Sequence, residues 1–351
     1  MLGNFWFLFK WGFSKHNTRI DVDTRHMFDV LDSKFNWWSC LWKGWWNSAV
    51  SLEMLTRYTQ TSGDSYYIPM IKAVCMAHKK GLINNYYDDE GWWALAFLKA
   101  HELFGEDWYL NCAKHVFDDM VGGWDDTFSG GIWWSKDKNY KNAIANELFM
   151  LIAAKLYNIT KQQVYHDWAL RSYDWFIKSG MINGDNLVND GLDVNGKNNG
   201  CATWTYNQGV ILGALIELAL IDASKQNEYL SLARSIADSV LVHLTQDGIL
   251  KECCESDDAG NLDGCAFKGI FMRYLGDLSI VIQSDAYNSF LFKNANTVLE
   301  KAKSNNYCIG NGWTPGPVVN PNSVTLTSAL DCVVADYNRR IFRFSGYSGK
   351  N

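Results

Sequence analysis

A chain of 351 residues, 48% hydrophobic and only 20% charged, carries enough apolar material for a large core, which excludes a disordered chain. Its formal net charge of −6, without a dense run of Lys and Arg, excludes the footprint of a nucleic-acid or anionic-membrane binder. No apolar stretch reaches membrane-spanning length, and the seven histidines never fall at metal-ligand spacing, so neither a membrane span, a metal nor a cofactor is expected.

The chain reads as one domain over 1–351, with residues 1–20 peripheral. Its start, Met1–Phe9, is apolar but lacks a basic lead and is closed early by Lys10, a poor export leader. Beyond it, apolar periodicity predicts two alternating kinds of helix, and four prolines in the whole chain leave long helices uninterrupted. Amphipathic segments are predicted at Asp23–Phe35, Asp64–Lys80, Asp107–Met120, Val164–Ser179, Glu228–Leu244 and Asp285–Lys303. Between them lie segments apolar on nearly every side: Trp46–Tyr58, Asp89–Leu103, Asn142–Tyr157, Asn207–Ile221, Gly269–Ile282 and Val324–Ala335. A helix apolar all round must be buried by other helices. Small residues such as Ala94, Ala96, Gly209 and Gly213 let those neighbours approach. Three amphipathic segments repeat a Tyr with an Ala four residues on (Tyr109/Ala113, Tyr165/Ala169, Tyr229/Ala233), the mark of one helical hairpin used repeatedly. The sixfold alternation predicts an all-α (α/α)6 double barrel. An α-solenoid would leave the fully apolar alternate helices unexplained.

In such a barrel the inner helices run parallel and their N-termini share one face. Each is preceded by a chemically rich segment: Trp45-Trp46-Asn47, Tyr87-Asp88-Asp89, Tyr140-Lys141-Asn142, Thr205-Tyr206-Asn207-Gln208 and Phe267-Lys268. Helix capping explains any single Asn or Asp there. A second carboxylate beside the first, among aromatic rings, repels it and is not needed for a cap. Glycosidic bond cleavage does need two carboxyl groups, one protonated and one ionised, and neighbouring acids split their pKa values. Side chains diverging from consecutive positions can reach the roughly 5–5.5 Å separation of a retaining enzyme. With 17 Trp, 17 Tyr and 18 Phe, the chain also has rings to stack on flat sugar faces.

Other features have simpler readings. Asp125-Asp126 lies between Gly-Gly-Trp and Thr-Phe-Ser-Gly, which favours a turn. Asn189-Asp190-Gly191 is a turn that can also aim Asp190 at substrate hydroxyls. Neither Gly191–Gly196 nor the acidic stretch Glu252–Asp263 has calcium-loop spacing. Among nine cysteines, Cys75 and Cys112 read as buried thiols, and a Cys254–Cys265 bridge is expected if the compartment is oxidising. Asn158-Ile159-Thr160 is a glycosylation sequon that tilts the expectation toward an extracellular setting.

Several stretches together resemble glycoside hydrolase family 76, the endo-α-1,6-mannanases, including fungal cell-wall members. They are Tyr87-Asp88-Asp89 with Trp92-Trp93-Ala94-Leu95-Ala96, Gly130-Gly131-Ile132-Trp133-Trp134, and Tyr140-Lys141-Asn142-Ala143-Ile144-Ala145-Asn146-Glu147-Leu148-Phe149. Trp204-Thr205-Tyr206-Asn207-Gln208-Gly209 and Phe267-Lys268-Gly269-Ile270-Phe271 follow in the same order. The resemblance implies an (α/α)6 barrel, a retaining mechanism without metal, Asp88 as nucleophile and Asp89 as general acid/base. It implies α-mannan or manno-oligosaccharide as substrate, a monomer, and an extracellular or cell-wall setting, although the polar end Arg343–Asn351 carries no lipid-anchor signal. Trp45, Tyr87, Trp92, Trp133, Trp134 and Tyr206 are the candidate substrate-stacking residues, one of the pair 133/134 packing inward. Asn142, Asp190, Asn207 and Lys268 are candidates for hydroxyl recognition. Two alternatives stay open: a cell-wall transglycosylase using the same pair, and a glycan-binding protein without catalysis.

Overall fold

The computed structural model describes residues 22–255 and 261–347, so the expectations for 1–20 and part of those for Glu252–Asp263 and the C-terminal end fall outside it. Twelve α-helices make up nearly all of the regular secondary structure of the described chain. They are α1 (Val22–Ser33), α2 (Trp45–Ser62), α3 (Ile68–His78), α4 (Tyr87–Phe104), α5 (Asp107–Val121), α6 (Ala143–Thr160), α7 (Gln163–Lys178), α8 (Thr205–Ile221), α9 (Gln226–His243), α10 (Phe267–Ile282), α11 (Asp285–Lys303) and α12 (Ser323–Tyr347). A two-stranded hairpin, β1 (Thr245–Gln246) and β2 (Ile249–Leu250), sits between α9 and α10.

The even-numbered helices form a closed inner ring: each packs along the next, and α12 returns to α2. The odd-numbered helices lie outside it, giving the (α/α)6 barrel. Glycine sets the closest inner approaches. A Cβ on Gly209 would stand 2.6 Å from Phe271 Cα, and one on Gly269 would stand 2.5 Å from Ser328 Cα, so α8, α10 and α12 touch through backbone. On the outer helices the repeated Tyr109, Tyr165 and Tyr229 are buried, and Ala113, Ala169 and Ala233 are wholly so, which makes the repeat a packing device.

Most helix ends fall within a few residues of the sequence reading. The clearest departures are α3, which starts at Ile68 rather than Asp64, and α12, which runs past Ala335 to Tyr347. Pro69 stands in the first turn of α3, where its missing N–H costs nothing. Asp64 instead closes a turn by accepting from Tyr66 N (3.0 Å) and Tyr58 Oη (3.1 Å).

Toward the C-terminal ends of the inner helices the barrel is filled by ion pairs. Arg57 joins Glu53 and Asp277, Arg273 joins Glu53 and Asp331, and Lys155 joins Glu217 and Glu102. Burial pushes the Glu53 carboxyl up, but Arg273 and Arg57 outweigh it and hold it below the ordinary carboxylate value. A cavity of about 390 Å³ opens among Arg57, Lys99, Glu102, Lys155, Glu217 and Tyr274 at this end.

Two expectations are corrected here. Cys254 and Cys265 are not bridged: Cys254 is buried and the Cys265 Sγ donates to Asn261 O at 3.2 Å. Asn158, the sequon residue, is buried with its Nδ2 bonded to Glu217 Oε2 at 2.8 Å, so the folded chain offers it to no glycan.

Candidate active site

Helix α4 begins two residues earlier than its apolar run. Tyr86 is extended and occupies the N-cap position, and Tyr87 N donates to Trp134 O at 2.9 Å. Asp88 and Asp89 therefore lie inside the first turn, and neither is the capping residue. The partial positive charge of the helix start favours their ionised forms, whereas burial opposes it. Asp88 Oδ2 accepts from Trp134 Nε1 at 3.0 Å, while its Oδ1 is buried and has no hydrogen-bond partner among the described residues. Burial, reinforced by the neighbouring Asp89, pushes the Asp88 carboxyl up to about 8. Asp89 Oδ2 accepts from Asn84 Nδ2 at 2.8 Å, and burial pushes it up to about 6. Among the described residues neither aspartate joins an ion pair. Two acids this close titrate as a unit, and near pH 7 the unit holds one proton.

The next residue in the acidic run differs. Glu90 is fully buried and takes Asn84 N (2.9 Å) and Lys136 Nζ (3.0 Å) on one oxygen. Lys136 also pairs with Asp119 at 2.9 Å, tying this helix start to α5. Glu90 thus anchors the turn that presents the pair.

An aromatic arc surrounds them. Trp46 stacks on Trp92 (5.6 Å between centroids), Trp92 faces Tyr206 (6.4 Å), and Tyr206 stacks on Phe267 at 3.8 Å. These rings come from the first two turns of α2, α4, α8 and α10, so these inner N-termini do share one face. Trp46 Nε1 also reaches Asp263 Oδ1 at 2.9 Å. Trp45 is half-buried against Trp93, and Tyr87 is buried against Gly123.

The segment from Gly122 to Asn142 is fixed by one lysine. Lys141 is fully buried and donates to Asp125 Oδ1 (2.9 Å) and to the carbonyls of Thr127 (2.8 Å), Gly130 (2.8 Å) and Gly131 (2.9 Å). Gly131 has φ +83°, and a Cβ there would stand 2.4 Å from the Trp175 ring, which explains the double glycine. Asp125 thus closes a turn, as its sequence context favours. Although burial opposes it, Trp133 and Lys141 hold its carboxyl well below the usual range. Trp133 is the inward member of its pair, its Nε1 bonded to Asp125 Oδ2 at 2.7 Å. Trp134 is the one that meets Asp88.

The four expected hydroxyl-recognition residues divide. Asp190 is half-buried, accepts from Tyr140 Oη at 2.5 Å and is pushed up by burial. Asn142 is buried as the N-cap of α6, its Oδ1 accepting from Ala145 N. Lys268 is buried in an ion pair with Glu255 and donates to Asn311 O at 2.6 Å, away from the surface. Asn207 is fully buried, and neither of its side-chain polar atoms has a partner among the described residues. The sequence reading placed Trp46 and Tyr140 only within helix-start segments and Glu147 only within a family stretch, and it singled out neither Asn84 nor Asp263 as a site residue. Glu147 is fully buried in α6 with both oxygens unpartnered among the described residues, and burial followed by Asp190 pushes its carboxyl well up. A lone acid within the apolar run of α6 was the available signal. A second cavity, of about 800 Å³, lies beside this face between Glu252, Cys265, Asn311 and Asn322, apart from the pair.

A helical double barrel carrying two consecutive half-buried acids at an aromatic mouth is the layout of barrel-type carbohydrate enzymes. Residues 17–338 match the profile of glycosyl hydrolase family 76, and the chain belongs to that family. It is 29% identical over 265 residues to the mannan endo-1,6-α-mannosidase DCW1 of Saccharomyces cerevisiae, covering 68% of this chain and 55% of that one. The chain spans about half the length of the curated relatives it matches. The α-1,6-mannanase of a Salegentibacter species superposes with a TM-score of 0.79 at 26% identity, over 90% of this chain and 98% of that one. An inactive variant of that enzyme, with two consecutive aspartates replaced, has been solved with α-1,6-mannotetrose. Dfg5 of Chaetomium thermophilum, solved with glucosamine, shares the fold at TM-score 0.80 and 20% identity, over 92% of this chain and 90% of that one.

Proposed function

We propose that this chain is a retaining endo-α-1,6-mannanase acting on α-mannan or related cell-wall glycans. The observation that carries the reading is the Asp88–Asp89 pair: two consecutive acids, free of cationic partners among the described residues and both pushed up by burial, at an aromatic barrel mouth. The inactivation of the Salegentibacter enzyme at two consecutive aspartates supports it.

Asp88 attacks the anomeric carbon, the glycosidic C–O bond breaks, and Asp89 gives its proton to the departing oxygen. Asp89 then takes a proton from water, which displaces Asp88 from the covalent mannosyl-enzyme and preserves the anomeric configuration. Trp134 suits this role for Asp88, because its N–H stabilises the ionised carboxylate. In the resting state the higher pKa lies on Asp88, so the proton must pass to Asp89 as a sugar enters. Trp45, Trp46 and Trp134, all half-buried, are the proposed stacking surfaces, Trp92 and Tyr206 being buried in the arc that supports them, and Asp190 is the proposed hydroxyl acceptor. An extracellular or cell-wall setting fits the same reading.

The test is incubation with linear α-1,6-mannan, reading product size and anomeric configuration by NMR, beside Asp88→Asn and Asp89→Asn. Cleavage with retention, lost in both folded variants, is expected. A 2-fluoro-mannosyl inactivator followed by peptide mass spectrometry should label Asp88. Labelling of Asp89 would reverse the two roles, and full activity in either variant would reject the pair.

A further inference from the structure

The connection between α1 and α2 carries two indoles that the barrel does not use. Trp38 is 100% exposed and Trp37 60%, the latter packed edge-on against the buried Phe35 at 4.9 Å. A fully exposed indole on an ordered turn leaves a large apolar surface in water that burial would stabilise. Nor is this a loose loop. Asn36 and Leu41 form an antiparallel bridge, Asn36 Oδ1 accepts from Trp38 N (2.9 Å) and Ser39 N (3.3 Å), and Cys40 adopts φ 52°. From α3, the His78 ring bonds Ser39 O at 3.0 Å. The backbone is therefore ordered for reasons that do not involve the Trp38 ring.

That turn stands on the same face as the acid pair. The His78 that holds Ser39 also packs on Trp93 (5.0 Å), and Trp93 meets Trp45 at 5.6 Å. Trp46, next in the chain, stacks on Trp92, one turn along α4 from Asp88 and Asp89. Buried rings and a backbone hydrogen bond thus tie the turn to the rim on which α2 and α4 begin. The seven residues from Trp38 to Trp45 span at most about 25 Å, which keeps the two ends within reach of one extended polymer.

We propose that Trp38, flanked by Trp37, is a surface binding site for the polysaccharide chain, stacking on sugar rings remote from the one being cleaved. The ligand class is a neutral, unbranched stretch of hexose polymer, whose apolar ring faces match a flat, preorganised indole. Lys34 and Lys43 are exposed on the same connection, so an anionic lipid surface is the rival occupant. The glycan is favoured because the turn runs directly into α2, whose half-buried Trp45 and Trp46 stand at the mouth that holds the acid pair. The inference rests on the mannanase reading and extends it from short oligosaccharides to polymers.

The experiment uses the full chain, with Trp38→Ala and, as the conservative control, Trp38→Tyr. Activity is measured on α-1,6-mannotetraose and on long linear α-1,6-mannan. Retention in a mannan-containing native gel is measured in an Asp88→Asn/Asp89→Asn background. Trp38→Ala should lower kcat/KM on the polymer, and gel retention, about threefold to tenfold. Tetraose turnover should stay unchanged, and Trp38→Tyr should recover most of the loss. Equal retention and equal polymer kinetics in Trp38→Ala would overturn the site while leaving the mannanase reading intact. Trp38-dependent binding to phosphatidylserine vesicles with none to mannan would overturn it in favour of a membrane surface. Failure of the unaltered chain to cleave tetraose would instead strike the mannanase reading, and mannan retention by the double variant would still report on Trp38.

Discussion

Replacing Asp88 by Asn should remove activity and stabilise the fold, increasingly so as pH rises. The carboxyl is pushed from an ordinary value of 3.8 up to about 8. A raised carboxyl binds its proton more tightly in the folded state, so its benefit is complete below about pH 4 and is lost as pH climbs through 8. At 1.36 kcal/mol for each pH unit, the rise from 3.8 to about 8 sets a ceiling of about 5–6 kcal/mol. The site is partly open to water and the acid shares its titration with Asp89, which reduces the expected effect to about 1–3 kcal/mol. Asn keeps the shape and cannot ionise. Urea unfolding of both proteins at pH 5 and pH 8.5 is the assay. The gain of Asp88→Asn over the unaltered chain should be larger at pH 8.5 by about 1–3 kcal/mol. Glu90 and Asp331, also pushed up, contribute to both curves and cancel in the difference. Parallel stability curves would refute the claim that this carboxyl is held neutral by burial.

Trp134→Phe deletes the indole donor to the Asp88 side chain. A hydrogen bond to a charged group is worth about 1.5–3 kcal/mol, so the acidic limb of the pH–kcat/KM profile should move up by about 1–2 units; an unmoved limb would show that the bond does not govern ionisation. Lys141→Met leaves several buried carbonyls without a donor and should cost about 3 kcal/mol in urea unfolding, with mannan activity falling further as Trp134 loses its support. Arg273→Met strands Asp331 and leaves Glu53 with Arg57 alone at the far end of the barrel. It should cost about 3–5 kcal/mol by the same measurement while leaving KM for mannotetraose unchanged in the folded fraction.

The alternation of helices was legible in the residues because it is a local property. Whether a stretch such as Asn207–Ile221 is apolar on all sides follows from its own period, and that alone fixes it to the inner ring. Candidate residues at helix starts were legible for the same reason. What each one does there was not. Asn142, Asn207 and Lys268 can all hydrogen-bond a hydroxyl as Asp190 can, yet the fold buries the first three and leaves Asp190 half-open beside Tyr140.

The sequence by itself therefore determined the barrel, the face on which the inner helices begin, and the acids that stand there. The tertiary structure decided the protonation and the partners. Asp88 meets Trp134 from 46 residues away, and Trp46 meets Asp263 from 217 away. The Lys141 clamp closes over carbonyls that no pattern marks. Helical periodicity repeats every few residues and is written in them. Desolvation and hydrogen bonding at a barrel mouth depend on which distant turns the closed ring brings together.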